Sequence, residues 1–257
     1  MAGTMKGKVA LVTGATSGIG RPAALAFATE GARVVAVADF NVAGGNETVR
    51  LVKERGSDGI FVKCNVSKTE EVQALIKTTV DKFGRLDYAC NSAGVQQRQA
   101  VPMGEADEAD WERIIGINLK GVFLCMKYEI QQMVKQRSGV IVNISSIGGL
   151  VAPSPGLTMY AASKHGVIGL TKGAAMDYAQ SGIRINAVCP AVIETDMTAQ
   201  FASHASKEEM KFLLDMHPVG RFGKPEEVAS AVLWLCSDLA GFVTGAAVPV
   251  DGGVTAR

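Results

Sequence analysis

An α/β fold built on a single parallel sheet of seven strands, wound by helices on both faces, is predicted by three observations. Seven short apolar or β-branched runs recur along the 257 residues, at 8–13, 34–38, 59–63, 86–90, 140–144, 183–188 and 246–250. Helical stretches separate them, an alternation that implies right-handed crossovers and a sheet covered on both faces. The runs are close to continuously apolar, as strands buried on both faces are, and do not alternate with polar residues.

No internal repeat and no linker richer in Gly, Pro or Ser than ordinary loops divides the sequence, so residues 1–257 are expected to form one domain. A hydrophobic content of 47% at this length suffices for a sizeable core. Lys and Arg number 26 against 25 Asp and Glu. That balance disfavours nucleic acid or an anionic membrane as partner, since either attracts a basic excess. Cys64, Cys90, Cys125, Cys189 and Cys236 are scattered and fall mostly in apolar runs, as buried thiols in a reducing compartment do. With no signal peptide and no apolar run long enough to span a bilayer, a cytoplasmic location is expected. His165, His204 and His217 show no ligand spacing, so no metal is expected.

The first strand, 8–13, runs into Gly14-Ala-Thr16-Ser17-Gly18-Ile19-Gly20 and then into an Ala-rich helix over 21–31. Strand, Gly-rich turn and helix is the context in which glycines let the backbone approach a pyrophosphate at the positive helix end. Asp39 closes the second strand, nineteen residues after Gly20. An acid at that spacing holds adenosine ribose hydroxyls and repels a 2′-phosphate, and no basic residue lies within 14–20, so NAD is favoured over NADP. Asp39 can equally cap the helix that starts near Val42. Helices over 45–55 and 68–83 follow. Cys64-Asn65-Val66 and Asn91-Ser92-Ala93-Gly94 come at strand carboxyl ends, the edge where such sheets bind ligands.

Residues 107–137 read as one long helix capped by Asp107, with Asp110 three residues on. Asn118 lies between Gly116 and Gly121, a low-propensity cluster that points to a site. The strand 140–144 ends in Ser145-Ser146, and a helix from about 158 to 180 carries Tyr160 and Lys164 on one face at i,i+4 spacing. A phenol with a reference pKa of about 10 is a poor base at neutral pH. An ammonium roughly 5 Å away, at an effective dielectric of about 20, contributes on the order of 3 kcal/mol, or about two pKa units, towards its ionisation. Residues 191–223 contain no strand and include Met197, Phe201, His204 and Met216. They are expected to form a helical lid over the sheet edge. A helix over 225–237 begins with Pro, and Asp251-Gly252-Gly253 follow the last strand.

Together these stretches resemble the short-chain dehydrogenase/reductase family over essentially the whole chain. The matching motifs are Thr13-Gly14-x-x-x-Gly18-Ile19-Gly20, Asn91-Ser92-Ala93-Gly94, Asn118, Ser146, Tyr160-x-x-x-Lys164, Pro190-x-x-Ile193-x-Thr195 and Val250-Asp251-Gly252-Gly253. The resemblance implies a Rossmann-type fold and a tetrad. In it Tyr160 is the general acid/base, Lys164 binds the nicotinamide ribose and lowers the tyrosine pKa, Ser146 bonds the substrate oxygen, and Asn118 holds a water in the proton path. It places cofactor contacts on Gly14, Thr16, Ser17, Gly18, Ile19, Gly20, Asp39, Phe40, Asn65, Val66, Asn91, Ala93, Gly94, Pro190, Ile193 and Thr195. The chain departs from the family pattern at Asn65 (usually Asp), Ser92 (usually Asn), Ala191 (usually Gly) and Asp39, which falls one residue late.

The expected activity is NAD(H)-dependent interconversion of a secondary alcohol and a ketone. The alternatives are an NADP(H)-dependent carbonyl or 3-oxoacyl reductase and, more distantly, a dinucleotide-binding subunit without catalysis. Val95, Gln96, Ile147, Ser154, Met159, Val192, Met197 and Phe201 are expected to line a mostly apolar pocket, with Gln96, Ser146, Met159, Val192 and Phe201 touching substrate. The small residues Ala161, Ala162, Gly166, Gly169 and Gly173 permit close helix packing, and the resemblance implies a homotetramer or homodimer.

Overall fold

The computed structural model describes residues 5–38, 41–152, 154–203 and 205–256. The chain forms β1 (Val9–Thr13), α1 (Gly20–Thr29), β2 (Arg33–Ala38), α2 (Val42–Glu54), β3 (Gly59–Lys63), α3 (Thr69–Phe83), β4 (Tyr88–Asn91), α4 (Glu108–Ile114), α5 (Gly121–Gln136), β5 (Gly139–Ile144), α6 (Thr158–Tyr178), β6 (Ile183–Pro190), α7 (Asp196–Ala202), α8 (Lys207–Asp215), α9 (Pro225–Cys236) and β7 (Ala247–Val250). The strands make one sheet in the order β3-β2-β1-β4-β5-β6-β7, and every pairing is parallel. This is the expected doubly wound Rossmann-type sheet. The order reverses between β1 and β4, and ligands of such sheets bind in the crevice at that switch point. The register sets Thr13 opposite Asn91, and Asn91 opposite Asn143, so three polar residues share one level near the carboxyl edge.

Each face of the sheet has its own core. Leu75, Phe83, Ile130, Met133 and Val167 bring α3, α5 and α6 onto one side; Phe27, Val52, Val228 and Leu235 bring α1, α2 and α9 onto the other. All five cysteines are buried. Among the described residues no helix is long and apolar enough to cross a membrane.

Two expectations need correction. The stretch 107–137 is not one α-helix: α4 and α5 are joined by a π-helical turn, Ile115–Lys120, with Asn118 inside it. Asp107 does cap α4, accepting from Ala109 N at 3.1 Å, but Asp110 turns away to the preceding loop and accepts from Arg98 N at 2.9 Å. The N-cap of α2 is Asn41, which accepts from Gly44 N at 2.8 Å, so Asp39 does not have that role. Asp39, Phe40 and His204 lie outside the described residues, as does the side chain of Phe201.

Candidate active site

The carboxyl end of β1 is stitched to that of β4 by Thr13, whose hydroxyl oxygen accepts from Ser92 N at 3.0 Å and Ala93 N at 3.1 Å. The turn that follows is built around two absent side chains. Gly14 has φ +66°, and a Cβ there would lie 2.8 Å from the Ala93 backbone. A Cβ on Gly20 would lie 2.2 Å from the Gly14 carbonyl oxygen. The turn therefore closes on itself and lies flat against β4. Helix α1 opens without a side-chain cap and without an acidic residue in its first turn, which leaves its positive end available to an anion. Arg21 makes the turn rigid from behind. Its guanidinium donates to the Thr16 and Gly44 carbonyls and, at 3.0 Å, to the Thr48 hydroxyl, tying the turn to α2.

At the end of β5 the two serines part company, because successive residues of an extended chain point to opposite sides. Ser145 is buried and its hydroxyl donates to the Lys164 carbonyl at 2.9 Å, anchoring α6 to the strand. Ser146 faces the site and accepts from Gly148 N at 3.0 Å. A Cβ on Gly148 would meet Ser146 Oγ at 3.5 Å and the Tyr160 ring at 3.6 Å, so both groups flank one small residue. Lys164 is buried, with Nζ donating to the Ile144 carbonyl at 2.9 Å and lying 5.6 Å from the centre of the Tyr160 ring. A Cβ on Gly94 would lie 3.4 Å from Asn118 Oδ1 and 3.6 Å from Lys164 Nζ, which brings Asn118 and Lys164 together across the β4 loop. The Asn118 amide is committed. It accepts from Val95 N at 2.8 Å and donates to the Val95 carbonyl at 2.8 Å and to Ser163 Oγ at 3.2 Å. The π turn thus pins the loop that carries Gly94.

Burial sets the charges. It raises the Tyr160 pKa above that of a free phenol, and a hydrogen bond from Ser146 draws it back in part. Burial also lowers Lys164 to about 8. The expectation that Lys164 brings the phenol to ionise near neutrality does not describe the free protein. Desolvation acts here against both charged forms and outweighs the attraction between them.

Other expected residues fall in less simple places. Asn91 is buried and its amide points inward, to Glu129 and Asn143, so only its main chain faces the cofactor edge. Asn65, expected among the cofactor contacts, has its Oδ1 turned to Ser67, accepting from both the backbone N–H and the hydroxyl at 3.0 and 2.7 Å. Val66 is buried against Gly121. Thr195 does approach the turn: a Cβ on Gly18 would lie 3.9 Å from its methyl group. Ser17, Gly18, Arg21, Thr195 and Thr198 line a cleft of about 510 Å³ between the turn and helices α7 and α8. Ile193 is buried and pairs with Gly223 across the base of that segment, and Pro190 ends β6. Met159 and Ile147 are buried, Met197 is exposed, and the Gln96 carbonyl accepts from Arg113 at 2.7 Å.

Sequence reasoning missed two residues that hold the site. Gln97, 8% exposed, donates to the Gly156 and Gln99 carbonyls and accepts from Tyr160 N at 3.4 Å. Helix α6 has no side-chain cap of its own, so Gln97 supplies an acceptor to its first turn, at the tyrosine itself. His217, 4% exposed, lies between Leu213 O, 2.8 Å from Nδ1, and Val192 N, which donates to Nε2 at 3.3 Å. It joins the end of α8 to the loop after β6. A lone glutamine and a lone histidine carry no periodic signal, and the partners that tie them to the site, Gly156, Tyr160 and Val192, are distant in sequence.

Comparisons agree with this geometry. A family profile described as enoyl-(acyl carrier protein) reductase matches residues 14–255. A short chain dehydrogenase/reductase, astE, of Aspergillus oryzae is 44% identical over 98% of this chain and 96% of its own length. The 3-oxoacyl-[acyl-carrier-protein] reductase FabG of Thermotoga maritima is 42% identical over 97% and 98%. A cyclohexanol dehydrogenase of an Acinetobacter species is 40% identical over 100% and 98%. With the Gly-rich turn at the switch point, and with Ser146, Tyr160 and Lys164 assembled at the same edge, the chain belongs to the short-chain dehydrogenase/reductase family, whose members are oxidoreductases that bind a nicotinamide dinucleotide.

Proposed function

We propose that this protein is an NAD(H)-dependent oxidoreductase that interconverts a secondary alcohol and a ketone, with Tyr160 as general acid/base. The observation that carries the reading is the convergence of Ser146, Tyr160 and Lys164 beside Gly94 at the carboxyl edge of the sheet. The glycine turn fits a dinucleotide, because a side chain at Gly14 would force the turn off the Ala93 backbone and one at Gly20 would force it open, distorting the surface that a pyrophosphate approaches. Residues 16–20 would hold the phosphates, Lys164 the nicotinamide ribose, and Ile193 and Thr195 the carboxamide. When bound, the nicotinamide supplies or accepts the hydride.

The protein's own part is proton transfer. In reduction the half-buried, protonated Tyr160 donates to the carbonyl oxygen, which Ser146 also hydrogen-bonds; in oxidation the phenolate removes the hydroxyl proton. Because the Asn118 amide is spent on Val95 and Ser163, its side chain positions the loop that carries Gly94 and is not free to hold a water in the proton path.

NAD is preferred in this reading because Asp39 has the spacing of a ribose ligand, and because Arg21 is committed to Thr16, Gly44 and Thr48 and is not free to meet a 2′-phosphate. Initial rates with the two cofactors should give kcat/KM for NAD at least about tenfold above NADP, a difference of ~1.4 kcal/mol. A preference for NADP would favour the second reading, an NADP(H)-dependent carbonyl or 3-oxoacyl reductase, to which the family profile and the FabG relative lend support.

Exposed Met176 on α6, Phe123 on α5, and Trp234, Leu239 and Phe242 around α9 support assembly into a homotetramer or homodimer. Sedimentation should give a species larger than the 26.9 kDa chain, and a stable monomer would contradict this.

A further inference from the structure

Glu129 on α5 is fully buried. Its hydrogen-bonding network is neutral: Asn91 comes from β4, Asn143 from β5 and Thr171 from α6, while α3 adds Val72, Leu75 and Ile76 to the core that α5 packs on. The ionisable group that interacts with it is the Cys90 thiol, which burial keeps neutral. Among the described residues no cation compensates a charge on this carboxylate.

The direction of every hydrogen bond in the network is set from one end. Thr171 donates its only proton to the Val167 carbonyl at 2.8 Å, so its oxygen must accept, and does so from Asn143 Nδ2 at 2.9 Å. Asn143 Oδ1 therefore faces Asn91 and accepts from Nδ2 at 3.0 Å. The other proton of Asn91 Nδ2 goes to Glu129 Oε2, also at 3.0 Å. Two buried side-chain atoms are then left without a partner, Asn91 Oδ1 and Glu129 Oε1. They are the remaining oxygens of the two groups that the Nδ2–H···Oε2 bond already joins. Two acceptors cannot satisfy one another, but one added proton satisfies both.

We propose that Glu129 is a positioning residue held as a carboxylic acid, whose Oε1 proton is donated to Asn91 Oδ1 to close an acid–amide ring that fixes the end of β4. Asn91 leads through Ser92 into Ala93, against whose backbone Gly14 of the glycine turn packs. Ionising Glu129 exchanges the ring for a bare charge in an apolar interior and loosens the wall of the dinucleotide site. Protonation itself is independent of the reaction assigned to the site; only the consequence for cofactor rests on that reading.

Glu129→Gln is the test, because an amide donates and accepts where the protonated acid does. The native pKa of Glu129 is raised to about 7 from an ordinary 4.5, with desolvation as the main cause. A raised carboxyl pKa contributes stability that is present below about 4.5 and is lost as pH rises through about 7. Wild-type Tm should therefore fall relative to Glu129→Gln across that window, and the KM for dinucleotide should rise with it. Infrared difference spectra of wild type minus variant should show a carboxylic-acid carbonyl band about one unit below that pKa. Parallel Tm profiles, or no acid band, would overturn the proposal. Should the variant not fold, carboxyl ¹³C shifts of glutamate-labelled wild type decide: one side chain titrating near 7 supports it, and all titrating in the ordinary range refutes it. A dinucleotide KM that stays flat across that window, with the acid band intact, would remove the positioning role of Glu129, whereas failure of wild type to bind dinucleotide at all, with the acid band and the Tm shift intact, would count against the dinucleotide reading alone.

Discussion

Tyr160→Phe is expected to lower kcat by about a hundred- to ten-thousandfold, the usual contribution of a positioned general acid/base, while dinucleotide binding persists. The ring and its contacts survive the change: Gly148 still packs against it, and Lys164 Nζ keeps its bond to the Ile144 carbonyl. Only the proton is removed. Burial holds the Tyr160 pKa above the free-phenol value, so the free protein carries the proton that reduction uses. A fluorescence titration of the cofactor, run beside the rate assay, separates lost chemistry from lost binding. A variant keeping more than about a tenth of wild-type kcat would remove the tyrosine from the mechanism, since loss of a general acid/base costs at least about a hundredfold.

Gly20→Ala should abolish measurable dinucleotide binding and destabilise the fold by about 1–3 kcal/mol, the usual cost of overpacking. The added methyl would lie 2.2 Å from the Gly14 carbonyl oxygen and 2.7 Å from its carbon. Both are backbone atoms, so no side-chain rotation relieves the clash. The turn would have to open, and Gly14 is itself pressed against Ala93. Calorimetric titration with NAD and chemical denaturation read the two effects separately. Unchanged NAD affinity would mean that this turn is not the phosphate cradle.

The sheet, its seven strands and the chemistry-bearing ends were legible because buried parallel strands leave continuous apolar runs, and because glycines mark where backbone meets backbone. Strand ends were less so. Asn91 and Pro190 continue their ladders although nothing in their local sequence favours a strand. The π turn was visible only as a weakness, two glycines around Asn118, and its form depends on what Asn118 clamps across the chain. Thr13, Gln97 and His217 act through partners 79, 63 and 25 residues away, beyond any periodic pattern. The resemblance singled out Ser146 over Ser145, and the direction of the strand supplies the physical reason, since it places Ser145 under α6. The electrostatics of Tyr160 were misjudged for a physical reason. Spacing along a helix gives a distance to an ammonium but says nothing about how dry the site is, and dryness decides the sign here.

The central claim is tested most directly by following nicotinamide absorbance with a panel of secondary alcohols and ketones, with wild type and Tyr160→Phe measured side by side. Wild-type protein should transfer hydride with NAD or NADH on at least one cyclic or chain substrate, and the variant should not. Wild-type protein that binds the dinucleotide yet turns over no alcohol or ketone, or a variant that matches it, would contradict the account.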